Sequence, residues 1–190
     1  MKKNIMILIA TTLVFALTII GATLAFFTDE GEVTNTFVTG DVAITLHDLL
    51  GEEDFPVEEG IENITPGDEF DKNVFVSSQG SIDTYVRVQL IPSWDPEEVE
   101  EGQNLVPLDI NLVELDLDLD NWILIDGWYY YKEILEEGEE TSKLLDGLIF
   151  STEIDNNYAN ASFSIEVIAE GIQATNDAAE TQWGVDTSDW

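Results

Sequence analysis

The chain has 190 residues, with 40 acidic against 6 basic side chains, a formal net charge of −34 and no cysteine. So large a negative excess leaves no cationic surface to displace counterions from phosphates, which excludes nucleic acid as a partner and disfavours anionic lipid headgroups. Without cysteine there is no disulfide framework, thiol nucleophile or zinc–thiolate site.

Lys2 and Lys3 precede an uncharged run from Asn4 to Thr28, with an apolar core from Ile5 to Ile20 and then Gly21-Ala22-Thr23-Leu24-Ala25. A basic start, an apolar core and small residues at the end are the order of a secretory signal peptide. Thr23 and Ala25 occupy the −3 and −1 positions of a cut before Phe26. The alternative is an uncleaved anchor, because the run is long enough to span a bilayer. Membrane contact is then expected through the uncleaved leader alone, and the rest of the chain works outside the cytoplasm. Cleavage removes Lys2 and Lys3, which takes the net charge from −34 to −36. What remains has the size of one ordinary domain, able to build a core without staples.

Beyond the leader, period-two alternation dominates. Val42, Ile44 and Leu46 alternate with Ala43, Thr45 and His47. The run from Ile82 to Leu90 places Thr84, Val86 and Val88 on one face and Tyr85, Arg87 and Gln89 on the other. Val113, Leu115, Leu117 and Leu119 alternate with Glu114, Asp116, Asp118 and Asp120, as a strand with a carboxylate face or as an acidic connection. Phe163, Ile165, Val167 and Ala169 alternate with Ser162, Ser164, Glu166 and Ile168. Each reads as a half-buried strand. Further strands are expected over Phe70 to Ser77 and Leu144 to Phe150. Asp126-Gly127 joins Trp122–Ile125 to Trp128–Tyr131 as a tight hairpin, with Trp128 and Tyr130 on one face and Tyr129 and Tyr131 on the other. Short helices are expected at most over Pro96 to Glu101 and Ala174 to Trp183. Many short strands with Gly and Pro turns predict an all-β protein: an antiparallel β-sandwich, jelly-roll-like, with short helices in loops. The expected division is a signal peptide over 1–25, an N-terminal segment over 26–40, the sandwich over 41–173 and an acidic C-terminal tail over 174–190.

Catalytic chemistry is thin. His47 is the only histidine, so the two-histidine zinc motif of metallopeptidases cannot form. No Gly-x-Ser-x-Gly elbow accompanies a serine, and no Gly-rich phosphate loop is present. His47 reads as a strand residue near the surface. Asp116, Asp118 and Asp120 offer the oxygen ligands that Ca²⁺ takes, without the spacing or glycine of an EF-hand loop; a solvated strand face is the plainer reading. No cofactor is expected apart from Ca²⁺ at such a carboxylate row. The aromatic run Trp128 to Tyr131 has the composition of a carbohydrate platform, and packing of one of its pairs in the core is the plainer expectation.

Several segments in order resemble a known family. Gly21 to Asp29 looks like the junction cut by the dedicated signal peptidase SipW. Thr36-Phe37-Val38-Thr39-Gly40-Asp41-Val42 resembles the segment that opens the mature proteins. Ile64-Thr65-Pro66-Gly67-Asp68 with Val74-Phe75-Val76 and Gly80-Ser81 resembles their next block, followed by Tyr85 to Val88 and Trp128 to Lys132. Ala169-Glu170-Gly171-Ile172-Gln173-Ala174 resembles their closing block, with Gly171 where alanine is usual. The chain thus resembles the TasA/camelysin-like, SipW-dependent exported proteins. The resemblance implies a jelly-roll domain that polymerises into extracellular fibres of the biofilm matrix, each N-terminal segment completing a neighbour's sheet. The implied partners are other copies of the chain and a SipW-type signal peptidase. Camelysin carries a metallopeptidase label, and nothing among these residues carries that activity over. The residues of Phe26 to Gly40 independently suit strand addition to a sheet edge, with Val33, Phe37 and Val38 as its apolar positions; the alternative is that the segment folds back on its own subunit. A camelysin-type secreted peptidase and a monomeric Ca²⁺- or carbohydrate-binding surface module are the competing functions.

Overall fold

This computed structural model describes residues 28–31, 42–54, 60–95, 108–158 and 161–190. The strands are β1 (Thr28–Gly31), β2 (Ile44–Leu50), β3 (Glu53–Asp54), β4 (Glu69–Phe70), β5 (Lys72–Ser78) and β6 (Thr84–Asp95), then β7 (Val113–Leu117), β8 (Trp122–Ile125), β9 (Trp128–Tyr131), β10 (Leu145–Phe150) and β11 (Ser162–Gln173). One short helix, α1 (Ala178–Trp183), follows β11.

The described strands form two antiparallel sheets. The first has the order β1-β11-β6-β9-β8; the second has the order β3-β2-β5-β10-β4, with β7 on the other side of β10. β2 to β5 follow one another within the second sheet and β8-β9 is a hairpin of the first; otherwise the chain passes between sheets, at β1 to β2, β5 to β6, β6 to β7, β7 to β8, β9 to β10 and β10 to β11. That crossing is the jelly-roll-like sandwich expected from the alternation. The inward residues of both sheets share one core, with Val74, Val76, Leu145, Leu148 and Phe150 facing Val86, Val88, Phe163, Ile165 and Ala169. Trp94 closes one end edge-on to Phe150, Tyr158 and Phe163, at 5.8, 5.0 and 5.1 Å between ring centroids.

Local chemistry accounts for the details. Asp126 and Gly127 both adopt positive φ, 49° and 86°, as a two-residue turn matched to strand twist requires. The expected strand from Phe70 divides into β4 and β5. β10 pairs β5 at Leu145 and β4 at Leu148 and Ile149, and its ladder with β7 shifts register between Leu145 and Gly147. β6 runs to Asp95, past its expected end at Leu90, and contains Pro92. Thr84 donates its N–H to Leu135 on the β9 side, so even positions of β6 point there. The N–H that Pro92 lacks falls on that side, where β9 pairs only Arg87 and Val88, and proline is tolerated in just such a place.

Gly171 lies in β11 beneath β2. A Cβ there would meet Ile44 at 3.0 Å and Thr84 at 3.1 Å, so Ile44 fills the space that a side chain would take.

Candidate functional site: the β11 edge and the face beside it

β11 pairs along its full length with β6, from Ser162↔Asp95 to Gln173↔Thr84. Its other edge takes β1 in four consecutive pairs, Thr28↔Ile172, Asp29↔Gly171, Glu30↔Glu170 and Gly31↔Ala169. Further along that edge Phe163 exchanges two main-chain hydrogen bonds with Ile61, at 2.7 and 3.0 Å. Odd positions of β11 therefore present their N–H and C=O groups to this side, and Ile165 and Val167 do so between the two attachments. Among the described residues no strand pairs with them there. A row of main-chain donors and acceptors of this kind accepts an extended segment from any source. The residues of the expected cleavage site, Thr23, Ala25 and Phe26, and the expected apolar positions Val33, Phe37 and Val38, lie outside the described residues.

The outer face of the same sheet carries a second apolar cluster. Tyr130 and Ile172 are buried there with Ala178, Ala179 and Val185, and Tyr85, Ile123, Ile125, Trp128, Trp183 and Trp190 pack around them. Arg87 sits at the centre. Its guanidinium carbon stands 4.1 Å from the Trp128 ring centroid and 4.6 Å from that of Trp183. Nε and Nη2 donate to Glu170 Oε2 at 2.8 and 2.5 Å, and Nη1 donates to the Tyr130 hydroxyl at 3.1 Å. Cation–π contact and charge-assisted hydrogen bonds are strongest when partly desolvated, as here. The arrangement clamps the C-terminal segment to the sheet: α1 stops at Gly184, whose φ of 71° and bond to the Glu180 carbonyl are a left-handed cap, and Trp190 then packs on Tyr85 and Tyr130. The segment expected as an acidic tail is thus part of the fold. Tyr129 and Tyr131 pack in the main core, so the alternation of the aromatic run held, and Trp128 is committed to Arg87 and its neighbours.

The carboxylate row does not gather. Asp116 points outward from β7, and the strand ends at Leu117. Asp118 then caps a turn: Oδ1 accepts from the backbone N–H groups of Asp120 and Asn121, and Oδ2 from the Asn121 amide and the Ser142 hydroxyl, at 2.8–3.1 Å. Burial opposes ionisation of Asp118, but those bonds prevail and hold its carboxyl below the usual range. Asp120 is exposed in the same turn.

The four basic residues that follow Lys3 in the sequence are all engaged within the fold. Lys72 pairs with Asp48, Arg87 with Glu170 and Lys143 with Asp146 at 2.6 Å. Lys132 donates to the carbonyls of Leu119 and Asp120 at 3.0 and 2.7 Å. The Arg87 clamp and the Asp48–Lys72 pair were not anticipated. The signal for the second lies in the alternation, since Lys72 is in phase with Val74 and Val76, and Asp48 with Ile44 and Leu46. For the first, Trp183 and Trp190 carry no periodicity that assigns them to a sheet face.

The family model described as camelysin metallo-endopeptidase matches residues 1–117 of the chain. No curated protein and no solved structure matches it. That description implies a metal ion, and the described residues do not fit one. Nε2 of His47 lies 2.8 Å from Ser77 Oγ, and the ring stacks on Phe75 at 4.5 Å. Among the described residues no three His, Cys, Asp or Glu side chains are grouped to hold a metal.

Proposed function

The chain belongs to the camelysin metallo-endopeptidase family, and from that premise we propose that it is a secreted structural protein which assembles with copies of itself into fibres of the extracellular matrix or cell surface. Assembly runs through the N-terminal segment 26–40, freed by a SipW-type signal peptidase and added to the β11 edge of a neighbouring copy. The observation that supports this reading is the antiparallel pairing of β1 with the β11 edge of its own chain, a place that the same segment of a second copy fits equally well. The strand begins at Thr28, next to the expected new N-terminus at Phe26, and it is held by main-chain pairing.

Exchanging an identical element between copies preserves every contact it makes, so it costs little. Four ladder pairs hold weakly by themselves, at a net of about 1 kcal/mol per hydrogen bond. Val33, Phe37 and Val38 supply the missing apolar burial, roughly 1.5–3 kcal/mol for each fully buried side chain of this size. An uncleaved leader keeps the segment from inserting, so processing gates assembly until after export.

The register supplies the test. One batch of mature chain carries Glu30→Cys and a second carries Glu170→Cys; the native chain has no cysteine to interfere. The two are mixed in concentrated salt and oxidised. Mixed disulfide dimers between the batches are expected, with each batch alone as the control for folding and self-linking. If the disulfide forms only when both cysteines are in one chain, the strand belongs to its own subunit. The non-enzymatic part is checked separately by casein degradation with metal-loaded protein, where chelator-sensitive turnover overturns it.

A further inference from the structure

Asp48 and Lys72 face the core, and nothing in the assembly reading uses them. β2 and β5 pair antiparallel with Asp48 opposite Val74 and Leu50 opposite Lys72, so the two residues lie diagonally across one ladder on its inner side. The Lys72 side chain is 0% exposed and that of Asp48 6%, and Nζ lies directly against Oδ1. The other inward residues of the two strands, Ile44, Leu46, Leu50, Val74, Val76 and Ser78, carry no charge. An ion pair in such surroundings repays its desolvation poorly. Burial also pulls the Lys72 amine down to about 7, so an uncharged amine is well populated near neutral pH. A desolvated lysine amine of this kind is a competent nucleophile.

We propose that Lys72 and Asp48 join through an intramolecular amide, a covalent staple between β2 and β5. The Nζ lone pair attacks Cγ of the protonated Asp48 carboxyl, and a C–N bond forms. The C–O bond to the hydroxyl breaks, and the hydroxyl leaves with one amine proton as water. An amine and a carboxylic acid become an amide and water, so no oxidant, reductant or activating group enters the balance. The product removes two charges from the core and fixes adjacent strands in a chain without cysteine.

Intact-mass spectrometry of the purified mature protein tests this. The expected mass is lower than that of the sequence by one water molecule, and digestion should yield one branched peptide containing both Asp48 and Lys72. Lys72→Met should have the full sequence mass. Because that variant leaves a lone carboxyl in the core, Lys72→Met with Asp48→Leu provides a second control in which no charge is stranded. The full sequence mass in the folded native protein overturns the proposal. So does a water loss that persists in the Lys72 variants, or one that maps elsewhere, for instance to a succinimide at Asp126-Gly127.

Discussion

Asp118 shows how a residue chosen for one chemistry serves another. Its four donors make it the cap of the β7–β8 turn, and they hold its carboxyl below the usual range against the opposing effect of burial. A carboxylate whose folded value is depressed stabilises the fold above the ordinary carboxylate range, and that contribution drains as pH falls through the lowered value. Asp118→Ala should therefore cost about 1–2 kcal/mol at neutral pH, and the loss should shrink in acid. Urea unfolding of both proteins across the acid range checks this; a pH-independent difference would mean that the hydrogen bonds to the charged form are not its source. Arg87 is the second residue with a defined load. Arg87→Ala removes the contacts with the Trp128, Trp183 and Tyr130 rings and the bonds to Glu170 and Tyr130, and should cost about 2–3 kcal/mol. Limited proteolysis should then cut within 174–190 faster than in the native protein. Arg87→Lys should not restore the native rate, because the ammonium lacks the planar fork that stacks and bridges at once.

The elements were legible to the extent that one face is buried. β2, β6 and β11 follow from alternation, because burial on one side forces a period of two, and β8 and β9 from the Asp126-Gly127 turn between them. The division of β4 from β5 follows from a register shift across β10, and a partner's bulge leaves no trace in the strand it displaces. α1 was foreseen as a helix, while its seat on the sheet was not, since that seat depends on Arg87 and Trp128 meeting Trp183 from distant parts of the chain. Of the segment 26–40, Thr28–Gly31 pair with β11 of the same chain, and that edge was not legible: the pairing spans more than a hundred residues, and local pattern carries no information at that range. The inward phase of Asp48 and Lys72 was readable, but their diagonal contact needs the β2–β5 register.

At the scale of the molecule, charge and assembly oppose one another. The chain carries −34, or −36 once the proposed cut removes Lys2 and Lys3, and such a charge repels copies in dilute buffer; its other four basic residues are already engaged inside the fold. Concentrated salt shortens the screening length to about 3 Å at 1 M, and divalent cations act in the same direction. Light scattering should therefore rise with salt or Ca²⁺ in the mature protein; no more association than in dilute buffer would mean that charge is not the brake.

Strand addition at the β11 edge is tested most directly by negative-stain electron microscopy of the mature protein beside a variant lacking residues 26–39. Both are examined in concentrated salt, with circular dichroism as the check on folding. Fibres from the mature protein and a folded, largely monomeric variant are the expected result. Normal fibres from the deletion variant contradict strand exchange, and so does global unfolding of that variant, which would place the segment in its own subunit.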